Sequence, residues 1–244
     1  MNRTLLLLAL LTGCATTEQV QNLEKKVTDL EAKVTELEKR PAGPAGAAPI
    51  DPAKEEAAAA AFKEIDELAK AGKYEEASAK IAPFAAAHGT TQTYKRAKKT
   101  LDELAVVGKT VDPQWTAKIE KWYQGEGKVD LTKGTTLVVF WEEWCPHCKR
   151  EVPKLVETYG KYQGKGLNVV GLTRITKSST EEKVTAFLSE NKVNYPVAKE
   201  NGKLAEDFAI GGIPAAAVVK DGKVVWRGHP AKLDDAALTQ ILGG

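Results

Sequence analysis

The sequence is poor in sulfur, lacks an excess of either charge, and has no long apolar run. Only three of its 244 residues are cysteine and one is methionine. Three cysteines are too few for a small domain stapled by disulfides. Met1 is the single methionine, so a chain trimmed of its leader has none. Lys and Arg number 35 against 33 Asp and Glu, a net charge of +2. That balance lacks the basic stripe that phosphate neutralisation requires, which excludes a dedicated nucleic-acid binder. The apolar stretch from Thr4 to Leu11 falls well short of the roughly 20 residues that cross a bilayer. The hydrophobic share of 43% and charged share of 28% exclude a wholly disordered chain. The length accommodates one or two domains with appendages.

The amino terminus reads as an address. Arg3 supplies a positive charge, Thr4 to Leu11 an apolar core, and Thr12-Gly13 small residues before Cys14. Leu11-Thr12-Gly13-Cys14 resembles a bacterial lipobox. The resemblance implies cleavage before Cys14, lipid on that cysteine, and residence in the cell envelope, facing the periplasm or extracytoplasmic space. An ordinary signal peptide with an incidental cysteine is the alternative. Ala15 after the cysteine points to the outer membrane in a Gram-negative cell. Residues 1–13 are thus expected to be a signal peptide.

Residues 14–40 are expected to be a lipidated start and a coiled coil. Val20, Leu23, Val27, Leu30, Val34 and Leu37 alternate spacings of three and four, with Val at a and Leu at d. Glu24, Glu31 and Glu38 occupy e; Gln19, Lys26, Lys33 and Arg40 occupy g. In a parallel pair Lys26 meets Glu31 of the second copy, and Lys33 meets Glu38. The pattern predicts a parallel homo-oligomer through residues 18–40, against the bland alternative of a helix packed on its own domain. Residues 41–54 form a linker rich in Pro, Ala and Gly, too broken by proline to continue the helix.

Residues 55–111 are expected to be helical. Asp51-Pro52 offers an N-cap and first turn, and Ala58, Ala61, Phe62, Ile65 and Leu68 share a face. Gly72 stops that helix; a second is expected from Tyr74 to His88 with a kink at Pro83, and a third from Thr91 to Val107. Only the turn around Gly72 resembles a tetratricopeptide hairpin, so a spacer or cap is the preferred reading. His88 suits a helix end without being a ligand. A short helix from Asp112-Pro113 is expected to carry Trp115, Ile119 and Trp122 on one side.

The chemistry concentrates at Cys145 and Cys148. Leu137 to Trp141 is an apolar run fitting a buried strand, and Lys149 onward reads as helix. A strand, then Cys-Pro-His-Cys, then a helix is a redox arrangement. Cys145 at the helix start meets unpaired N–H groups that stabilise a thiolate. Cys148 lies one turn on, within reach of a mixed disulfide on Cys145. Structural zinc needs further ligands at suitable spacing, yet there is no second Cys-x-x-Cys. Haem attachment needs His where Lys149 stands. A structural disulfide closing so small a loop gains little. No metal and no organic cofactor is called for.

Phe140-Trp141-x-x-Trp144-Cys145-x-x-Cys148 resembles thioredoxin, and Cys148-x-x-Glu151-x-Pro153 is similar to the TlpA/ResA-like group of extracytoplasmic thiol-disulfide oxidoreductases. Further matches are a strand at Gly166–Leu172, an inserted helix at Glu181–Asn191, a short strand at Asn194–Val197, Gly211-Gly212-Ile213-Pro214, and a hairpin turning at Asp221-Gly222 before Gly228. The resemblance covers residues 112–244 and implies an α/β, thioredoxin-like fold: a central mixed sheet flanked by helices. Cys145 would be the exposed nucleophile and Cys148 the buried resolving thiol. Pro214 would be cis, and Trp144, Ile213 and Pro214 would meet an extended client. Glu151 would manage the Cys148 proton, with a solvated helix carboxylate as the alternative; Val139 stands where such folds often bury an acid. His147 resembles the tuning residue of strongly oxidising relatives, where an imidazolium favours the thiolate. Glu142 and Glu143 are expected at the surface. The implied activity is exchange of disulfides with protein thiols, fed by an upstream redox partner. Two rivals stay open: a non-catalytic envelope lipoprotein that binds partners through this domain, and a peroxiredoxin, whose cysteine would sit in Thr-x-x-Cys rather than Trp-Cys-x-x-Cys.

Overall fold

The computed structural model describes residues 17–39 and 51–243. The leader, Cys14 and most of the proposed linker lie outside the described residues. The chain divides into two units, residues 1–49 and 50–244. Among the described residues of the first lies helix α1 (Thr17–Lys39). Of its heptad residues, Leu23, Val27, Leu30 and Val34 are open to solvent, 49–61% exposed. Among the described residues no helix is long and apolar enough to cross a membrane.

The second unit begins with four helices: α2 (Pro52–Lys70), α3 (Tyr74–Ala79), α4 (Ile81–His88) and α5 (Gln92–Leu104). The Asp51 carboxylate caps α2 by accepting from the Ala53 and Lys54 N–H groups. Glu55 reaches across to accept from the Gln92 and Thr93 N–H groups at the start of α5. Ala58, Ile65, Ala77, Phe84, Ala97, Leu101 and Leu104 form their shared core. The single helix expected from Tyr74 to His88 is broken at Lys80, not kinked at Pro83. A fresh start at Ile81 puts Pro83 in a first turn, where its missing N–H is no loss. Residues 108–111 then run beside the last strand. Gly108 N–H donates to the Val224 carbonyl, Val224 N–H to Lys109, and Val111 N–H to Gly222. This cover satisfies backbone groups along an otherwise open sheet edge.

The remaining elements are β1 (Ile119–Gln124), β2 (Thr135–Trp141), α6 (Pro146–Tyr162), β3 (Leu167–Thr173), α7 (Glu181–Glu190), β4 (Val197–Glu200), α8 (Lys203–Asp207), β5 (Ala215–Lys220), β6 (Lys223–Gly228) and α9 (Asp235–Gly243). The six strands lie in the order β1-β4-β3-β2-β5-β6. β2 pairs parallel with β3 and antiparallel with β5, so the sheet is mixed, as the α/β expectation had it. All seven β2 residues are buried, and their alternation builds two cores. Leu137, Val139 and Trp141 pack with both cysteines, α6 and α7; Val138 and Phe140 pack with Trp115, Leu204 and Phe208. The Asp221-Gly222 turn has positive φ at both residues, as a tight hairpin requires.

Two expectations need correction. Trp115, Ile119 and Trp122 do not share a helix: a short 3-10 turn, Trp115–Lys118, gives way to strand β1. Their spacing imitates a helical face, but Ile, Trp and Tyr also favour strands, and pairing with β4 decides the outcome. The strand expected at Asn194–Val197 begins only at Val197. Pro196 cannot donate to a ladder, though its carbonyl accepts from the Gly171 N–H.

Candidate functional site

β2 delivers the chain from the middle of the sheet to the redox motif. Three residues after Trp141, Cys145 takes the N-cap of α6, with Pro146 in the first turn. The Cys145 N–H donates to the Glu142 carbonyl at 3.1 Å, closing a tight turn. The Cys148 N–H points at Cys145 Sγ from 3.4 Å. The Cys145 thiol in turn lies 3.7 Å from the Ile213 carbonyl. The Ile213–Pro214 bond is cis, and Pro214 leads directly into β5, the antiparallel neighbour of β2. Sheet topology thus brings residues 145 and 213 together across 68 positions of chain.

Both cysteines are free thiols. Cys148 is fully buried, and Cys145 is 4% exposed. The order of exposure follows the expectation, but Cys145 is far less open than an exposed nucleophile would be. The cap position draws its sulfur toward the α6 backbone while the Ile213 carbonyl crosses in front. Burial pushes the Cys148 thiol well above its ordinary range. Its hydrogen bond with Cys145 raises it further, a backbone hydrogen bond from Glu142 opposes this, and the Cys145 and Glu142 charges add to the rise.

The other predicted residues fall at different distances from the sulfurs. Trp144 is half-buried beside Cys145 and packs on the core that contains both cysteines. Glu151 is largely buried, and its carboxylate accepts from Lys154 Nζ at 3.0 Å rather than from a cysteine. It lines a cavity of about 210 Å³ with Leu137, Leu155, Pro230 and Leu233. His147 is exposed, with Nδ1 only 2.5 Å from Arg150 Nη2. A guanidinium can only donate, so Nδ1 is the acceptor in this contact. The cation nearest this ring is Arg150. Val139 is buried in the same core as the cysteines.

Glu142 and Glu143 are not at the surface: they are 4% and 8% exposed. Glu142 Oε2 accepts from Trp144 Nε1 at 2.6 Å and also from the Thr176 hydroxyl. Arg174 Nη2 lies 3.8 Å from its other oxygen, and Arg174 Nε lies 3.6 Å from Glu200. Lys177 Nζ stands 3.2 Å above the Trp144 ring centroid. Sequence reasoning missed this group because adjacent charges are usually solvated. A signal existed: residues 142 and 143 connect a strand buried along its whole length to a cysteine turn that is itself buried.

Gly171 leaves room for Trp141 behind the motif. A Cβ there would come within 2.9 Å of Trp141 Nε1 and 3.3 Å of Tyr195. Trp141 also stacks on Phe187, with ring centroids 5.1 Å apart. The floor of the site is therefore close-packed. Among the described residues, no cluster of three or more His, Cys, Asp or Glu is arranged to hold a metal ion.

Residues 112–227 match the AhpC/TSA family. ResA from a Bacillus cereus strain, a thiol-disulfide oxidoreductase, is 34% identical over 98 residues, covering 39% of this chain and 55% of that protein. Sporulation thiol-disulfide oxidoreductase A of Bacillus subtilis is 26% identical over 103 residues, covering 41% of this chain and 62% of that one. The mixed sheet flanked by helices is a thioredoxin-like fold. The similarity spans little more than half the length of these curated relatives. Among solved structures, a thioredoxin-like protein in its oxidised form is similar with a TM-score of 0.48 at 23% identity, over 57% of this chain and 97% of that one. A putative interchange protein DsbE from Chlorobium tepidum is similar with a TM-score of 0.42 at 22% identity, over 56% and 97%. The thioredoxin-like fold lies in the second unit, following helices α2 to α5 and the 108–111 segment that runs along its β6 edge.

Proposed function

We propose that this protein is a membrane-anchored extracytoplasmic thiol-disulfide oxidoreductase that exchanges disulfides with protein thiols through Cys145-Pro146-His147-Cys148. One observation carries the reading: Cys145 sits at a helix N-cap, its sulfur receiving the Cys148 N–H and facing the cis Ile213–Pro214 bond. The names of the ResA and sporulation thiol-disulfide oxidoreductase relatives support the thiol-disulfide exchange.

In the reducing direction, Cys145 thiolate attacks one sulfur of a client disulfide. A Cys145–client disulfide forms and the client's other sulfur leaves as a thiolate. Cys148 gives up its proton and attacks Cys145 Sγ, releasing the second client thiolate. Two electrons pass to the client and a Cys145–Cys148 disulfide remains. The reverse sequence oxidises a client dithiol. An upstream redox partner restores the starting state. The N–H directed at Cys145 Sγ favours negative charge on that sulfur, both in the attacking thiolate and in the leaving one. Trp144, Ile213 and Pro214 border the nucleophile and meet the client strand. Glu151, a turn beyond Cys148, serves as the proton relay, and His147 with Arg150 tunes the equilibrium.

Cys14 carries the lipid, and residues 18–40 pair two chains in parallel. The exposed apolar stripe of α1 and the Lys26/Glu31 and Lys33/Glu38 match across a pair support this arrangement. Cross-linking with and without that segment tests it: loss of the cross-linked pair on deletion is expected, and identical monomers overturn it. The activity is tested by insulin reduction. Wild-type protein should reduce insulin with a thiol supply, and Cys145→Ser should not; equal rates would overturn the mechanism.

A further inference from the structure

Glu142 has no place in that exchange, yet it is the most heavily engaged buried carboxylate near the sulfurs. A carboxylate only 4% exposed is costly unless its oxygens are occupied. Here both are. One oxygen takes the Trp144 indole N–H and the Thr176 hydroxyl; the other faces Arg174. Trp144 Nε1 also lies 3.1 Å from Thr176 Oγ1, so indole, hydroxyl and carboxylate form a closed triangle. Arg174 is held from behind by Glu200, which also accepts from the Gly202 and Leu204 N–H groups at the start of α8. Lys177 covers the open face of the Trp144 ring. Lys177 adopts a left-handed φ of 53°, a conformation non-glycine residues avoid unless surrounding contacts hold them in it. Three of the four residues from 174 to 177 therefore converge on one carboxylate–indole pair.

We propose that Glu142 is a positioning residue of the cysteine site, clamping Trp144 and the 174–177 segment at its rim and setting a fixed negative charge beside the resolving thiol. The inference rests on the redox reading of the site. Two consequences follow from the two parts of the side chain. Its hydrogen-bonding geometry holds Trp144 where a client must pass to reach Cys145. Its charge opposes ionisation of Cys148, in addition to burial and the Cys145 hydrogen bond. Burial keeps the resolving thiol protonated until the mixed disulfide has formed, and the Glu142 charge adds to that hold. The charged groups facing Glu142 are Arg174 directly and Lys177 across the indole; those facing Cys148 are Cys145 and Glu142.

Glu142→Gln separates charge from geometry, because its amide oxygen still accepts from the indole. Glu142→Ala removes both. The Cys148 thiolate fraction is followed through its 13Cβ shift as the reduced protein is titrated upward from about pH 10 to the alkaline limit of the fold, and the Trp144 indole N–H through its 1H–15N resonance. Glu142→Gln should raise the thiolate fraction about threefold, half a pH unit in titration, and leave the indole resonance near its wild-type position. Glu142→Ala should raise the fraction similarly and also move or broaden the indole resonance. An unchanged thiolate fraction in the Gln variant, or an unchanged indole resonance in the Ala variant, overturns the proposal. Neither measurement needs a client. Failed insulin reduction by wild type together with these shifts would therefore count against the redox activity and not against the role of Glu142 in the site.

Discussion

Removing the Cys148 thiol should change how the fold's stability depends on pH. The perturbation is Cys148→Ala, compared with wild type under a reductant that keeps both thiols free. An unfolded cysteine titrates near 8.5. In the folded protein burial raises the Cys148 thiol far above that value. Below about pH 8.5 both states hold the proton and the group contributes no pH dependence. Above it, the unfolded chain loses the proton while the native state keeps it, so the native state binds more protons and its stability falls as pH rises. The slope for one proton is about 1.4 kcal/mol per pH unit. Integrated from pH 8.5 to 10.5, wild type should lose about 2.3 kcal/mol relative to the variant. The cavity left by the alanine shifts one curve bodily but does not alter this slope. The lysines and the tyrosines are present in both proteins and cancel in the difference, and repeating the pair on a Cys145→Ser background removes the contribution of the Cys145 thiol that interacts with Cys148. Urea unfolding followed by tryptophan fluorescence gives the free energies. Parallel stability curves for the two proteins across that range would refute the reasoning, because Cys148 would then titrate alike in both states.

Other expected outcomes follow from the same geometry. His147→Pro removes the acceptor that holds the Arg150 guanidinium at the start of α6. It should make the couple more reducing by about tenfold in the glutathione equilibrium, or about 30 mV; an unchanged equilibrium constant would defeat that role. Gly171→Ala forces a methyl against Trp141 and Tyr195 in a packed layer. Urea midpoints should show a loss of about 1–3 kcal/mol, and a neutral result would mean that the layer behind the motif yields.

The parts of the fold set by local chemistry were legible in the sequence. The apolar run of β2 and the Asp221-Gly222 turn each follow from a few neighbouring residues, whereas helix α7 and the cis Ile213–Pro214 bond were implied by the family resemblance. Elements decided by distant partners were not. β1 exists because β4 offers it an edge, and the helix-like spacing of Trp115, Ile119 and Trp122 hid that choice. Lys80 breaks the second helix because Pro83 needs a first turn, a preference that proline alone leaves ambiguous between kink and restart. In the site, the two cysteines could be named from motif and spacing and Pro214 from the family resemblance, whereas the engagement of Glu142 depends on Arg174 and Thr176, more than thirty positions away. The near-complete burial of Cys145 likewise depends on the Ile213 carbonyl, brought in by the pairing of β5 with β2.

The central claim is that Cys145 and Cys148 act in sequence on one client. The most direct test exposes reduced protein to a disulfide-linked peptide and follows intact mass, locating any adduct by fragmentation. Cys148→Ser should accumulate one peptide on Cys145 and hold it. Wild type should release the peptide and finish with Cys145 joined to Cys148, and Cys145→Ser should take up none at Cys148. A stable adduct on wild-type Cys145, or equal capture at Cys148 when Cys145 is absent, would contradict the account.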